Sequence, residues 1–398
     1  MRWRNGETPG PWRLLIFPTY RCNLECGYCS QALVDDPPEL LKEVPDERLV
    51  RLVDEAAELG VREFSIGGGG EPMLRRKVVM DMIKRVRFHN MQGTLQTNGT
   101  AFRPEDLETL VKINWDYLSI SVDGPDAATN DSIRYKGSFN RLAKHLHVLR
   151  DLKSKHHSQF PTVQLSVVVT SQNSLLLPDM VKFGKEMGVQ RLYFQDLYVR
   201  HEGMDAYLVH PEHRQKIQEG AARAARLAQD YGIYTNVAEF KNVHPEGAPW
   251  QIPAPRAAND NSLAHITESV CFDPWLGLSI VSSGNAGPCC NFWEGHSTNI
   301  KDCSLKDVWF GPYMTEMRTR MLANRPPEPC IECQVELIRH NREVGAKVAS
   351  LHAEHLRNRR GPAQMVAKVL HSMQRHGMRG GLQRGKEWLA IRRTLAHK

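Results

Sequence analysis

The chain has 398 residues, 41% hydrophobic and 24% charged, enough apolar material for one large core plus a smaller unit and too balanced for an unfolded polymer. No apolar run reaches the ~18 residues of a membrane span, and the first residues (MRWRNGETPG) lack the apolar stretch of a secretory signal; the expected compartment is the cytoplasm. The formal charge of +7 belongs to the tail: residues 356–398 carry eleven Lys/Arg against one acid, leaving 41 basic and 44 acidic residues elsewhere. That excess says nothing about the ligand of the main body, and no nucleic-acid partner is expected.

From Trp12 to about Glu239, short β-rich runs alternate with longer amphipathic stretches. Strands are expected at 13–19, 63–68, 93–98, 117–123, 163–170 and 191–198. Helices are expected over 46–59, 78–88, 104–113, 139–153 and 178–187, with a further Ala- and Arg-rich helix over 211–231. Six β–helix units in series argue for parallel strands with right-handed crossovers. They fall short of the eight of a closed barrel, so the expected fold is α/β, a partial (β/α)6 barrel whose functional edge is the C-terminal ends of the strands.

Residues 1–239 would form that core. The Pro-, Gly- and Asn-rich run 240–265 reads as a linker, 266–335 as a small cysteine-rich domain, and 336–398 as a helical, basic tail. The tail's apolar residues fall at helical spacing among basic ones. Such a segment can lie on an anionic membrane surface, making the chain membrane-peripheral, or pack its stripe on the protein's own body.

Nine cysteines fall in two groups, which in a reducing compartment read as metal ligands or reactive thiols. Cys22, Cys26 and Cys29 form C-x3-C-x2-C directly after the first strand. Three thiolates on one short loop can wrap an iron–sulfur cluster and leave one iron open. A structural zinc site ordinarily takes four ligands, and no fourth Cys or His lies nearby.

With Tyr28 before the third cysteine, this motif resembles that of the radical S-adenosylmethionine (SAM) superfamily. The resemblance implies a [4Fe–4S] cluster whose open iron binds SAM, reductive cleavage of SAM to a 5′-deoxyadenosyl radical, and hydrogen-atom abstraction from a substrate. It also implies a reducing partner such as flavodoxin or ferredoxin. Gly67–Gly70 with Glu71 and Pro72 resembles the family's GGEP motif, so that Gly69, Gly70 and Glu71 would receive the SAM amino group. By the same resemblance Asn98, Ser121 and Asp123 would lie near the SAM ribose and carboxylate, and Arg134 would pair with that carboxylate. Ordinary strand-end turns and a helix-surface arginine would select the same residues at Asn98, Asp123 and Arg134.

Cys271, Cys289, Cys330 and Cys333 resemble the SPASM/twitch extension of that superfamily and imply a second, auxiliary [4Fe–4S] cluster; structural zinc would use identical ligands. Cys290 and Cys303 are then left over, as small buried hydrophobes or as candidate hydrogen donors to a substrate radical.

The twitch resemblance, together with the early position of Cys22, points to a radical SAM oxidoreductase that dehydrogenates or epimerises a small molecule of sugar or cyclitol type, with or without a phosphate. A ribosomal-peptide-modifying enzyme and a non-catalytic iron–sulfur electron carrier are the alternatives. No general base is assigned, although Asp196, Tyr198 and Glu239 sit near strand ends.

Overall fold

The computed structural model describes residues 9–29, 42–135, 137–197, 202–242, 271–290 and 298–322, with 325, 327 and 330. They belong to one compact unit, 1–263 and 271–333; a second unit, 264–270 and 334–398, which includes the basic tail, lies outside the described residues. In chain order come β1 (Arg13–Ile16), α1 (Asp46–Glu58), β2 (Glu63–Ile66), α2 (Arg76–Phe88), β3 (Gln92–Thr97), α3 (Pro104–Lys112), β4 (Tyr117–Ser121), α4 (Ala127–Ile133) and α5 (Ser138–Lys155). Then follow β5 (Thr162–Val169), α6 (Leu177–Glu186), β6 (Arg191–Asp196), α7 (Arg214–Tyr231) and β7 (Tyr234–Thr235). The cysteine-rich segment supplies α8 (Asp273–Leu276), β8 (Gly277–Ile280), β9 (Asn285–Gly287), β10 (Thr298–Asn299), α9 (Leu305–Phe310) and α10 (Pro312–Leu322).

All six expected strands and all six expected helices are present, within a few residues at their ends. Strand residues alternate in burial as a period of two requires: Phe64 and Ile66, Leu95, Leu118 and Ile120, Leu165 and Val167, Leu192 and Phe194 are buried. These join Leu49, Leu52, Val79, Ile83, Leu107, Leu146, Val181 and Ala224 of the helices in a single core cluster. Parallel strands with right-handed crossovers put α1, α2, α3, α5, α6 and α7 on that face. The opposite face carries Ser, Thr, Gln and Tyr, and half of it is open to solvent.

The sheet runs β10-β9-β8-β1-β2-β3-β4-β5-β6-β7. It is parallel from β8 to β7, and β8, β9 and β10 pair antiparallel, so the sheet is mixed. The first strand after the linker therefore adds to the edge of β1, in the register Arg13–Gly277 to Ile16–Ile280. Nothing in its sequence (GLSI) marked that pairing. Four residues, all buried, give no period to read, and a strand's partner is a tertiary choice.

α4 also escaped the sequence reading. Its residues, AATNDSI, have no apolar stripe, and polar side chains make its ends: Asp126 Oδ1 accepts from Thr129 N at 2.8 Å, and Asp131 accepts from Gly137 N, Phe139 N and Ser138 Oγ.

Candidate functional site

The loop after β1 carries Cys22, Cys26 and Cys29, all free thiols. They are close enough to act on one another electrostatically. Cys26 is pushed up to about 11, by burial first, with Cys29 and Cys22 adding to it and Arg134 opposing. Burial likewise raises Cys22, and Glu71 and Cys29 add to that. Thiols so placed ionise only when a cation compensates them, which a bound metal centre does. Three neighbouring thiols on one loop make the soft, all-sulfur donor set that iron–sulfur groups need.

Two polar networks tie the loop down. At its start Asn98, just past β3, donates through Nδ2 to Asn23 Oδ1 at 2.9 Å and points the same nitrogen at Cys22 Sγ, 3.9 Å away. Asn98 Oδ1 accepts from Thr100 N and Oγ1, and Asn23 Nδ2 donates to Thr100 Oγ1. At its far end Tyr28 donates its hydroxyl to Asp123 Oδ2 at 2.5 Å. Arg134, the C-cap of α4, donates Nη2 to the Tyr28 hydroxyl at 2.9 Å and sets Nε 2.7 Å from the same Asp123 oxygen. That last contact is out of line for a hydrogen bond, so it acts through charge. Arg134 Nη1 lies 4.0 Å from Cys26 Sγ.

The structure gives Asp123 and Arg134 partners within the protein. Asp123 is fully buried, with Oδ1 accepting from Val168 N and Oδ2 shared by Tyr28 and Arg134. Arg134 is not a helix-surface residue: only 9% of its side chain is exposed, and its counter-charge is Asp123. Glu71 is likewise engaged. Its carboxylate is buried and accepts from Met73 N, Thr97 Oγ1 and Asn98 N, so it braces the end of β3. Burial raises its pKa against those three donors.

Three of the four glycines before it are needed for their backbone. Gly67, Gly68 and Gly69 have φ of 138°, 93° and 71°. At Gly70 a Cβ would stand 2.0 Å from Arg21 O, because the two loops pass in contact there, with Gly70 N bonded to Thr19 O and Glu71 N to Arg21 O. Ser121 ends β4, half-buried, on the open face of the sheet.

Sequence reading missed Tyr207. Its hydroxyl rests on Gly27, where a Cβ would meet it at 1.6 Å, and its ring meets Tyr28 edge-on at 6.1 Å between centroids. With Leu197, Met204 and Val168 it forms a small apolar cluster over the cysteine loop. No motif marks it, and the contact is between segments 180 residues apart.

Of the second cysteine group, Cys271, Cys289 and Cys330 are half-buried, and Cys333 lies outside the described residues. Cys289 and Cys330 converge on Tyr313 of α10, whose hydroxyl is raised by burial first and then by both thiols. Cys290 is exposed. The Cys303 thiol donates to Asn299 O at 3.3 Å, its carbonyl accepts from Arg48 of α1, and it packs against the core on the helix side of the sheet.

The family model for the radical SAM superfamily matches residues 16–174, and that for SPASM, an iron–sulfur cluster-binding domain, matches 271–334. Among curated relatives, a PqqA peptide cyclase of Granulibacter bethesdensis is 27% identical over 81% of this chain and 79% of its own length. A pre-heme d1 synthase of Dinoroseobacter shibae is 27% identical over 79% and 77%. Among solved structures, Streptococcus suis SuiB bound to precursor peptide SuiA covers 80% of this chain and 69% of its own, at 19% identity and a TM-score of 0.57, a likeness of fold. These comparisons correct the expected small-molecule partner of sugar or cyclitol type: of these two relatives that span most of this chain, one is named a peptide cyclase and neither is named for a sugar. No helix among the described residues is long and apolar enough to cross a membrane.

Proposed function

The chain belongs to the radical SAM superfamily and carries a SPASM-type iron–sulfur domain, and from that premise we propose that it modifies a peptide, abstracting a hydrogen atom from one of its residues. When bound, a [4Fe–4S] cluster and SAM supply one-electron cleavage to a 5′-deoxyadenosyl radical. Cys22, Cys26 and Cys29 would hold that cluster, and Cys271, Cys289, Cys330 and Cys333 an auxiliary one. Asn98, Tyr28, Asp123 and Arg134 would fix the loop and aim N–H groups at two of its thiolates. The turn over Gly67–Gly70 would offer backbone atoms to SAM, with Ser121 on the open face beside it. The sheet would form an open partial barrel, its inner face amide- and hydroxyl-rich and so suited to hydrogen-bonding a peptide backbone.

The observation that carries the reading is the trio of thiols, Cys22, Cys26 and Cys29, on one loop tied at both ends. The peptide substrate is supported by the peptide cyclase matching over four-fifths of the chain. The test is deuterium transfer. Anaerobically reconstituted protein, dithionite and SAM are incubated with a perdeuterated peptide mixture, and separately with the perdeuterated small-molecule fraction of the same cells. Deuterium in 5′-deoxyadenosine from the peptides alone is the expected result, and label from the small-molecule fraction alone defeats the proposal. Replacing Cys22, Cys26 and Cys29 together by Ala should abolish 5′-deoxyadenosine in either case.

A further inference from the structure

The open face of the sheet encloses a cavity of 420 Å³, walled by polar residues of five neighbouring strands, from Glu63 and Ser65 on β2 through Thr94, Tyr117 and Gln164 to Arg191 on β6. That size falls within the ~300–1,000 Å³ of ligand sites. Its only cation among these lining residues is Arg191, and no ion pair among the described residues uses it. The guanidinium stacks on the Tyr234 ring, 4.8 Å from carbon to centroid, a contact that engages its face and leaves the in-plane N–H donors unused. Nε is buried without a hydrogen-bond partner. A half-buried guanidinium with free in-plane donors suits a carboxylate, which accepts two of them side by side.

The acid of the cavity stands at its opposite end. Glu63 on β2 is four strands away from Arg191 on β6 and accepts from Trp12 Nε1 at 3.1 Å. Beside Arg191 in register sits Gln164 of β5, and next to that Ser119 of β4. Both are neutral and able to donate to a carboxylate or to accept from a peptide N–H.

Resting on the peptide reading above, we propose that this cavity receives an acidic side chain of the substrate peptide, its carboxylate held by Arg191. Arg191 begins β6, whose C-terminal end at Asp196 marks the cysteine-loop edge. Five steps at strand rise put it roughly 16 Å below that edge. The acidic residue is therefore not the one that reacts; it lies several residues along the peptide and sets register and selectivity.

The experiment uses the full chain with its clusters reconstituted and two probes, N-acetyl-L-glutamate N-methylamide and its glutamine counterpart, each observed by saturation-transfer NMR. The glutamate probe should give a signal several-fold stronger than the glutamine probe. Arg191→Gln should bring it down to the glutamine level. Gln164→Glu, which places a competing carboxylate beside an intact Arg191, should do the same, and it decides the matter if the arginine variant does not fold. Equal signals from both probes on the unaltered protein, or an undiminished glutamate signal in the folded variants, overturns the site. A chain that takes deuterium from peptides but does not discriminate the probes keeps its function and loses this pocket; one that discriminates the probes but takes no deuterium from peptides loses the peptide reading instead.

Discussion

Asp123→Asn tests whether the far end of the cysteine loop is held by a buried charge. The substitution keeps the shape of the side chain and one acceptor for Val168 N, but it removes the negative charge that faces Arg134. Those two side chains are 0% and 9% exposed, so water cannot take over the lost partner. Leaving one member of a buried pair alone costs about 3–5 kcal/mol, a large part of the ~5–15 kcal/mol that a folded domain has. The Tyr28 hydroxyl loses its charged acceptor as well, and with it the anchor beside Cys29. The assay is urea unfolding of the metal-free, reduced chain at neutral pH, followed by iron and sulfide content after reconstitution. We expect a loss near 3 kcal/mol and substoichiometric iron. Asp123→Asn combined with Arg134→Met should be less damaging than Asp123→Asn alone, since it removes the stranded cation along with its partner. A single variant within 1 kcal/mol of the parent, measured against a typical native-state hydrogen-bond contribution of about that size, would refute the reasoning; so would a double variant no better than the single.

Gly70→Ala forces a Cβ to within 2.0 Å of Arg21 O and should cost about 1–3 kcal/mol as overpacking does, read as a lowered urea midpoint together with reduced cluster uptake. Gly27→Ala drives the Tyr207 ring off the loop; Tyr207→Ala in the same chain should restore part of the lost thermal stability, and a double variant no more stable than Gly27→Ala would show that the contact is not the cause. Glu71 binds its proton more tightly folded than unfolded, because burial raises its pKa. In the window between its ordinary and its raised pKa the native state therefore holds more protons, and stability falls as pH rises through that window. Glu71→Gln should flatten the slope while lowering stability at every pH, since an amide N–H₂ then faces donors; an unchanged slope in the pH series of unfolding midpoints would contradict this.

What the sequence made legible follows from the range of the physics involved. The alternation of strands and helices is local and periodic, so β1 to β6 and the amphipathic helices between them could be read to within a few residues at their ends. The cysteine spacing was equally legible, because three ligands on one loop need no tertiary knowledge to be brought together. The partners of Asp123, Arg134 and Glu71 within the fold were not. Each is a strand-end or helix-end residue whose partner lies elsewhere in the chain: Tyr28 is 95 residues from Asp123, and Asn98 is 27 residues from Glu71. A motif can name such residues without saying whether they face a ligand or one another. α4 was invisible for a related reason. It buries two residues, Asn130 and Ile133, and so has no apolar stripe, yet it sets Arg134 where the loop requires a cation.

The addition of β8 to the edge of β1 gives the two cysteine groups a shared frame. Phe17, on the way into the first cysteine loop, donates its N–H to Ile280 O at 2.8 Å, and Val44, on the way out, donates to Ser282 O at 2.9 Å. Arg75 bonds both flanks again, through Pro18 O at 2.7 Å and Val44 O at 2.9 Å. The base of the loop is thus closed by a strand that enters the sheet from residues 277–280, between Cys271 and Cys289. Backbone bonds to a neighbouring strand cannot be lengthened without breaking the ladder, so a displacement of β8 must move Phe17 and Val44. A change that weakens the β8–β9 pairing, far in sequence from Cys22, should therefore loosen the first cysteine loop, because β8 is the strand that holds Phe17 and its continuation holds Val44.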